Sequence, residues 1–395
     1  MKRRVLVTDG EQRAALAVVR SLGRAGYEVY VCSARPSSIA GASRYCAGSY
    51  QISDPLGDPA AFVSELMRVT VATKADVLLP VTEAALLPVL PNRERFNCVI
   101  PFPSAGAFES ICDKSMVLKA AAAQGLSVPA QIELAHAGDS ATLSGGPQFP
   151  LVLKPSRSVT GKEGERVRAG VAYAASTNDL SQALTSIPAN AYPVLMQQRI
   201  NGPGFGISVL VWDGILRAAF AHRRIREKPP SGGVSVLRES IPLDQNLLSR
   251  SLALLGDFGW EGVAMVEYKL DASSGTPYLM EINGRLWGSL QLAIDAGVDF
   301  PKLLVELALG GDPAPVTTYK VGVRSRWEWG DVDHLLATVL HASKFSGFSD
   351  TRRYPRLHAL AGFIRGFGQN NRAEVFRRDD PGPILRETLD WFRRR

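Results

Sequence analysis

Short apolar runs alternate along this chain with longer stretches whose apolar residues recur every three or four positions. "RRVLVTDG" followed by "EQRAALAVVRSLGRAGYEVYVCS" reads as strand, loop, amphipathic helix ending at Gly26, and second strand. "ADVLLPV" and "NCVIPFP" predict two further buried strands with helical segments between them. Strands alternating with helices imply a parallel sheet with helices on its faces. The first turn, "TDGEQRAA", offers only Gly10 where a dinucleotide fingerprint needs three glycines, so that class of site is poorly supported. In "PVTEAALLPVL", Thr82 is placed as an N-cap with Glu83 in the first helical turn. Capping explains the pair, and a substrate contact at the sheet's carboxyl edge is the alternative.

A second unit begins near Asp113. "DKSMVLKAAAAQGLSVP" predicts a helix capped by Asp113 and stopped at Gly125, and "FPLVLKPSRSVTGKEGERV" a buried strand carrying Lys154 into a polar loop with Gly161 and Gly164. "PVLMQQRINGPGFGISVLVWDG" reads as strand, Gly/Pro loop and strand, and "AHRRIREKPPSGGVSVL" as a basic loop. A helix around "QNLLSRSLALLGDFG" precedes the strands "GVAMVEYKL" and "PYLMEINGR", joined by the turn "DASSGT". "LQLAIDAGVDFPKLLVELALGG" reads as one helix ending at Gly310 and Gly311. Further on, "YKVGVRSRWEWGD" predicts a strand, "VDHLLATVLHAS" a helix, and "DDPGPILRETLDWFRRR" a helix begun by Pro381 or Pro383.

The unusual feature of this pattern is "LMEINGRLWGS", where Glu281, Asn283 and Arg285 occupy alternate positions and so share one face of an otherwise apolar strand. Glu267 lies 14 residues earlier, the length of one strand, a tight turn and a return. An antiparallel hairpin of that size brings the two carboxylates side by side, with Asn283 one step along the same face. Two carboxylates and an amide oxygen suit magnesium or manganese. The alternative is an ion-pair face with Lys269 and Arg285 as counter-ions; a metal accounts for Asn283 as well. If that metal carries a triphosphate, Lys114 and Lys154 are the candidate phosphate contacts. His222 and Arg224 face the cleft if their segment is extended, with Arg223 turned out, and the fork of Arg224 matches a carboxylate. A basic solvated hairpin is the competing reading. Trp287 is either a wall of the substrate pocket or a core tryptophan.

Lys114, then "LVLKP" with a Gly-containing loop, "VLMQQRI" before a Gly-rich bend, "VEYKL" and "LMEINGR", in that order, resemble the ATP-grasp superfamily of the type found in carbamoyl phosphate synthetase and biotin carboxylase. The resemblance runs from about Asp113 to Gly311. It implies an α/β and α+β architecture: a Rossmann-like parallel-sheet domain over 1–112, a two-lobed ATP-grasp fold over 113–311, and a basic C-terminal extension over 312–395. It further implies that Lys114 and Lys154 contact the ATP phosphates under a loop from Ser156 to Gly164, and that Gln197, Gln198, Arg199 and Ile200 form the hinge beside adenine. Glu267, Glu281 and Asn283 would hold one or two magnesium ions. Arg285 would steady the transferring phosphoryl group; apart from the resemblance, the residues themselves nominate Arg224, His222, Gly232, Gly233 and Trp287 as substrate contacts. Two departures from the family pattern are the Gln-Gln hinge, where an acid is usual, and a phosphate loop poorer in glycine, in which Lys162 could substitute a charge.

The reaction implied is carboxylate–amine ligation through an acyl phosphate. An acyl- or carbamoyl-phosphate-forming phosphotransferase and a non-catalytic nucleotide-binding protein are the alternatives. Composition adds little to this picture: 395 residues, 46% hydrophobic, suffice for two or three domains with full cores. The net charge of +7 is concentrated beyond Thr351, where eleven Arg face five acids, and a solvated surface explains that better than a nucleic-acid site. Cys32, Cys46, Cys98 and Cys112 are scattered, with no zinc spacing. No run approaches a membrane span, and "MKRRVLV" leads into a strand, so a cytoplasmic location with small-molecule substrates is expected. A homodimer is left open.

Overall fold

The first apolar run forms β1 (Arg4–Val7), followed by α1 (Arg13–Arg24), β2 (Glu28–Ser33), β3 (Cys46–Gln51), α2 (Pro59–Thr73) and β4 (Val77–Leu79). This computed structural model describes residues 2–136, 138–139, 148–161, 166–168, 170–230, 232–340, 355–368 and 371–394. The four strands make a parallel sheet in the order β3-β2-β1-β4, with every residue of Val5–Val7 and Val77–Leu79 fully buried. β3 has no apolar run to announce it: its residues alternate between half-buried and exposed at the sheet edge. "NCVIPFP" is not the strand its apolar pattern predicts. Only Val99 bridges to Val77, because Pro101 and Pro103 remove ladder donors on either side of Phe102. After β4 come α3 (Glu83–Val89), capped by Thr82, then α4 (Ala105–Cys112) and α5 (Lys114–Ala123), capped by Asp113.

A small lobe follows, built from β5 (Gln131–Leu134), β6 (Leu151–Pro155), β7 (Val159–Thr160), β8 (Val167–Arg168), β9 (Ala172–Ala174), α6 (Thr177–Ser186) and β10 (Val194–Gln198). Its antiparallel sheet, β5-β10-β6-β9, buries Leu151, Leu153, Val194 and Met196 against Leu180 and Leu184 of α6, a core separate from the main one. β7 and β8 pair apart from it. Lys162 and Gly164, named above for the phosphate loop, lie outside the described residues.

The large sheet takes β11 (Gly204–Trp212), β12 (Ile215–Lys228) and β13 (Val234–Ser240), then α7 (Gln245–Asp257), β14 (Gly262–Leu270), β15 (Pro277–Asn283), α8 (Leu290–Ala296) and α9 (Phe300–Ala308). It ends with β16 (Arg324–Arg326), α10 (Glu328–Leu340), α11 (Pro355–Arg365), β17 (Asn371–Ala373) and α12 (Gly382–Arg393). The strand order is β15-β14-β11-β12-β13-β16-β17. The basic stretch "AHRRIREK" is therefore strand, not loop: its charged residues find partners across β12 and β13, as Arg223 does with Glu239. The helix expected over "LQLAIDAGVDFPKLLVELALGG" breaks in two at Gly297, which adopts φ +111° as the C-cap of α8, while Asp299 caps α9.

Residues 371–380 strap the large sheet to the parallel one. Arg20, 1% exposed in the middle of α1, donates Nε to Asp380 Oδ2 at 2.8 Å and its remaining nitrogens to the carbonyls of Glu374, Val375 and Asp380. Asp380 also accepts from Ser43 Oγ and the Arg44 N–H. Glu374 accepts from Arg13 of α1 at 2.5 Å and from Arg238 of β13. No helix among the described residues is long and apolar enough to cross a membrane. Because Asp380→Ala leaves the Arg20 guanidinium buried without its carboxylate, it is expected to lower stability by roughly 3–5 kcal/mol, read as a fall in the urea unfolding midpoint.

Candidate active site

The three sheets converge on a cleft of about 1030 Å³. The predicted hairpin supplies its floor. Glu267 of β14 and Glu281 of β15 are directly opposed partners, and Met265 opposes Asn283. Asn283 Nδ2 donates to both carboxylates, at 3.2 and 3.3 Å, and Oδ1 accepts from Arg285 at 2.9 Å. Arg285 lies two residues past the end of β15 rather than within its alternation, and its other nitrogen donates to the Leu286 carbonyl.

The counter-ions are not the two that the ion-pair alternative named. Lys269 turns away to the Ile200 carbonyl, at 3.1 Å, and Arg285 contacts neither carboxylate. Arg224 bonds Glu267 instead, and Lys114 Nζ lies 3.7 Å from Glu281. Arg224 reaches across β11 because Gly204 carries no side chain there. A Cβ on Gly204 would stand 3.1 Å from Arg224 Cδ, and one on Gly206 would stand 2.9 Å from His222 Cε1. The glycines of "GFG" thus leave room for Arg224 at Gly204 and for His222 at Gly206, and the Arg224 guanidinium also donates to Glu227 Oε1 and the Gly233 carbonyl.

Burial sets the electrostatics, modified by these partners. It raises Glu267, and Arg224 opposes the rise only in part, with the Glu281 charge adding to it. The same burial acts on Glu281, but Lys114, Lys154 and Arg224 outweigh it and hold that carboxyl low. Lys154 is pushed down to about 8 by burial, against the pull of Glu281. His222 is pushed down to about 3 by burial and by Arg224 and Arg238, so it is neutral. It bonds Ser289 Oγ through Nε2 at 3.2 Å and is 2% exposed, at the edge of the cleft lining. Trp287 likewise lines the cleft with almost no exposed surface, packed edge-on against Phe300.

Lys114 also donates to Ser158 Oγ at 2.9 Å, and its N–H to the Ser156 carbonyl, tying α5 to the loop after β6. Gln197, Gln198, Arg199 and Ile200 line the cleft where β10 leaves the small lobe. The Gln198 and Arg199 N–H groups are already given to Ala130 and Pro150, and the Gln197 side chain to Gln131. Gly232 and Gly233 line it too, with Gly232 at φ +128° beside the hydroxyl of Tyr173, whose ring also lies 5.9 Å from the Arg199 guanidinium.

Residues 190–329 match the family described as "ATP-grasp in the biosynthetic pathway with Ter operon". Solved structures agree in fold. The L-amino acid ligase of Bacillus licheniformis superposes with a TM-score of 0.61 at 20% identity, over 78% of this chain and 74% of that one. This chain has the ATP-grasp fold. N5-carboxyaminoimidazole synthetase of Staphylococcus aureus, complexed with ADP, gives 0.60 at 15% identity over 82% and 81%. The biotin carboxylase–β-γ-ATP complex of Campylobacter jejuni gives 0.60 at 17% over 82% and 74%. No match is found among curated proteins by sequence.

The ATP-grasp cleft has walls that local sequence patterns do not reveal. Arg13, Arg238 and Trp327 line it through partners far along the chain: Arg13 lies 3.9 Å from the Trp327 ring centroid, and Trp327 Nε1 donates to Glu387 of α12 at 2.8 Å. Because burial disfavours its ammonium form, Lys154 is expected to titrate near pH 8 in the nucleotide-free protein, measured by side-chain NMR. The unfolded lysine keeps its proton to higher pH, so stability should rise as pH climbs from 8 towards 10.5, and Lys154→Met should remove that rise.

Proposed function

We propose that this protein is an ATP-dependent carboxylate–amine ligase that forms an amide or peptide bond through an acyl phosphate and releases ADP and phosphate. The observation that carries this reading is the opposed pair Glu267 and Glu281, bridged by Asn283, at a cleft that also receives Lys114, Lys154 and Arg285. The likeness to an L-amino acid ligase and to a synthetase holding ADP supports it. In this reading residues 1–112 precede the grasp, 113–311 form it, and 312–395 close the far side of the cleft.

The donor set fits magnesium. Two carboxylate groups supply hard oxygen ligands, Asn283 would add its amide oxygen by turning it from Arg285 toward them, and burial, with the neighbouring Glu281 charge, disfavours a charged Glu267 that a cation would stabilise. Bound there, magnesium neutralises phosphate charge and orients the triphosphate. Glu267, Glu281 and Asn283 would hold it, relieving Arg224 of Glu267 and leaving its planar fork for the substrate carboxylate. Lys114 and Lys154 would contact the phosphates from α5 and β6, with Gln197 to Ile200 beside adenine.

A substrate carboxylate oxygen attacks the terminal phosphorus of ATP, and the bond to ADP breaks. Arg285 steadies the charge on the transferred phosphoryl group. The amine then attacks the acyl carbon and phosphate departs. What the chain contributes is position and charge, together with a cleft that keeps water from the acyl phosphate.

The test is ADP release from ATP with magnesium across a panel of carboxylates, including the common L-amino acids, each with and without hydroxylamine as nucleophile. Release should need both an acid and a nucleophile and should stop with EDTA. Glu281→Ala and Arg285→Ala should each lower kcat by roughly 100- to 1000-fold. ADP release indifferent to the nucleophile would point to an acyl phosphate as the released product, and no release with any acid would end the catalytic reading.

A further inference from the structure

Most carboxylates lining the cleft are paired with a base. Glu227 and Glu267 meet Arg224, Glu281 meets Lys114, Asp333 meets Lys228, and Asp390 meets Arg386. Glu83 also lines it and forms no ion pair among the described residues. Its Oε1 is buried with no hydrogen-bond partner among the described residues. An unpaired carboxylate oxygen in a desolvated site is costly unless a donor arrives there in use.

Helix capping does not explain this residue. Thr82 caps α3, its Oγ1 accepting from the Ala85 N–H at 3.2 Å, so that duty is discharged one position earlier. The turn is held rigidly instead. Asp9, at φ +57°, a conformation uncommon outside glycine, accepts from the Thr82 hydroxyl at 2.8 Å and from the Val81 and Thr82 N–H groups. Asp9 and Thr82 stand at the carboxyl ends of neighbouring strands β1 and β4, so the parallel sheet itself aims Glu83 at the grasp.

Its charged surroundings are those of the proposed ligase site. Arg285 and Lys114 pull on it, Glu281 pushes against it, and the Val159 N–H of the phosphate loop faces it. The nearby Cys112 thiol is raised by burial and stays protonated. Glu83 therefore faces, from the parallel sheet, the arginine assigned to the phosphoryl group.

Resting on the ligase reading, we propose that Glu83 receives the second substrate, binding a primary ammonium through its free oxygen and taking the proton that must leave before nitrogen can attack. The ammonium gives one proton to the Glu83 carboxylate and becomes a neutral amine. The nitrogen lone pair forms the C–N bond to the acyl carbon, and the C–O bond to phosphate breaks with its electron pair. The second proton passes from the new amide nitrogen to the departing phosphate, and Glu83 returns its own to water. The second-substrate class is thus an amine protonated in solution, such as the amino group of an amino acid or a small alkylamine.

The test compares two nucleophiles on one enzyme. Hydroxylamine, neutral in solution at pH 7, has no proton to surrender before attack, whereas glycinamide is largely an ammonium. With an acid that yields hydroxamate in the unsubstituted protein, Glu83→Gln should lower the ratio of glycinamide product to hydroxamate by roughly 100-fold. It should raise KM for glycinamide more than KM for hydroxylamine, and Glu83→Asp should recover part of the ratio. An unchanged ratio in Glu83→Gln would overturn the assignment while leaving the ligase reading intact. If Glu83→Gln does not fold, the ratio in Glu83→Asp decides: a selective fall for glycinamide supports the assignment, and an unchanged ratio overturns it. Absence of hydroxamate from every acid in the unsubstituted protein removes the ligase reading itself, and Glu83 with it.

Discussion

Two carboxylates set opposite each other on adjacent buried strands repel, and neither has bulk water to spread its charge. Glu267 and Glu281 are in that position, and much of the surrounding chain is arranged to make it tolerable. Arg224 approaches from two strands away past Gly204, Lys114 comes from a helix outside the sheet, and Lys154 faces them from the small lobe. Arg224 shares the large sheet with the carboxylates, Lys114 comes from a helix packed on the same core, and only Lys154 belongs to the small lobe, so the charges balance through three different elements. Removing one base leaves a charge that the others cannot neutralise.

That dependence explains why the buried polar network extends so far. Behind the floor, Arg238 and Arg13 share Glu374, and Glu374 belongs to the strap that also holds Arg20. Neutral His222 fills the space beside Arg224 without adding charge. The aromatic wall continues outward, with Trp329 and Trp391 stacked at 4.2 Å and Trp391 donating to Asp333. The segment beyond Gly311 is thus wall and brace at once.

Legibility in the sequence followed the range of each interaction. The Glu267–Glu281 hairpin was readable because one turn separates its strands, and the caps at Thr82 and Asp113 because capping is local. Lys154 was legible as the polar end of an apolar strand. Interactions that depend on distant partners were not readable: Arg224 as counter-ion requires β12 to lie beside β11 and β14, and the Arg13–Glu374 contact joins residues 361 apart. The break at Gly297 was hidden because apolar periodicity continues through it, and β3 because an edge strand needs no apolar run. His222 and Trp287 both line the cleft yet are almost wholly buried, and pattern alone does not give that depth.

The strap has a consequence for the order in which the molecule can be made. α1 leaves the ribosome early, yet its Arg20 has its carboxylate partner 360 residues later, at Asp380. Until that residue is made, the guanidinium lacks the carboxylate that the folded chain gives it. The wall that the strap braces, with Glu374 holding both Arg13 and Arg238, is likewise complete only after those late residues have been made.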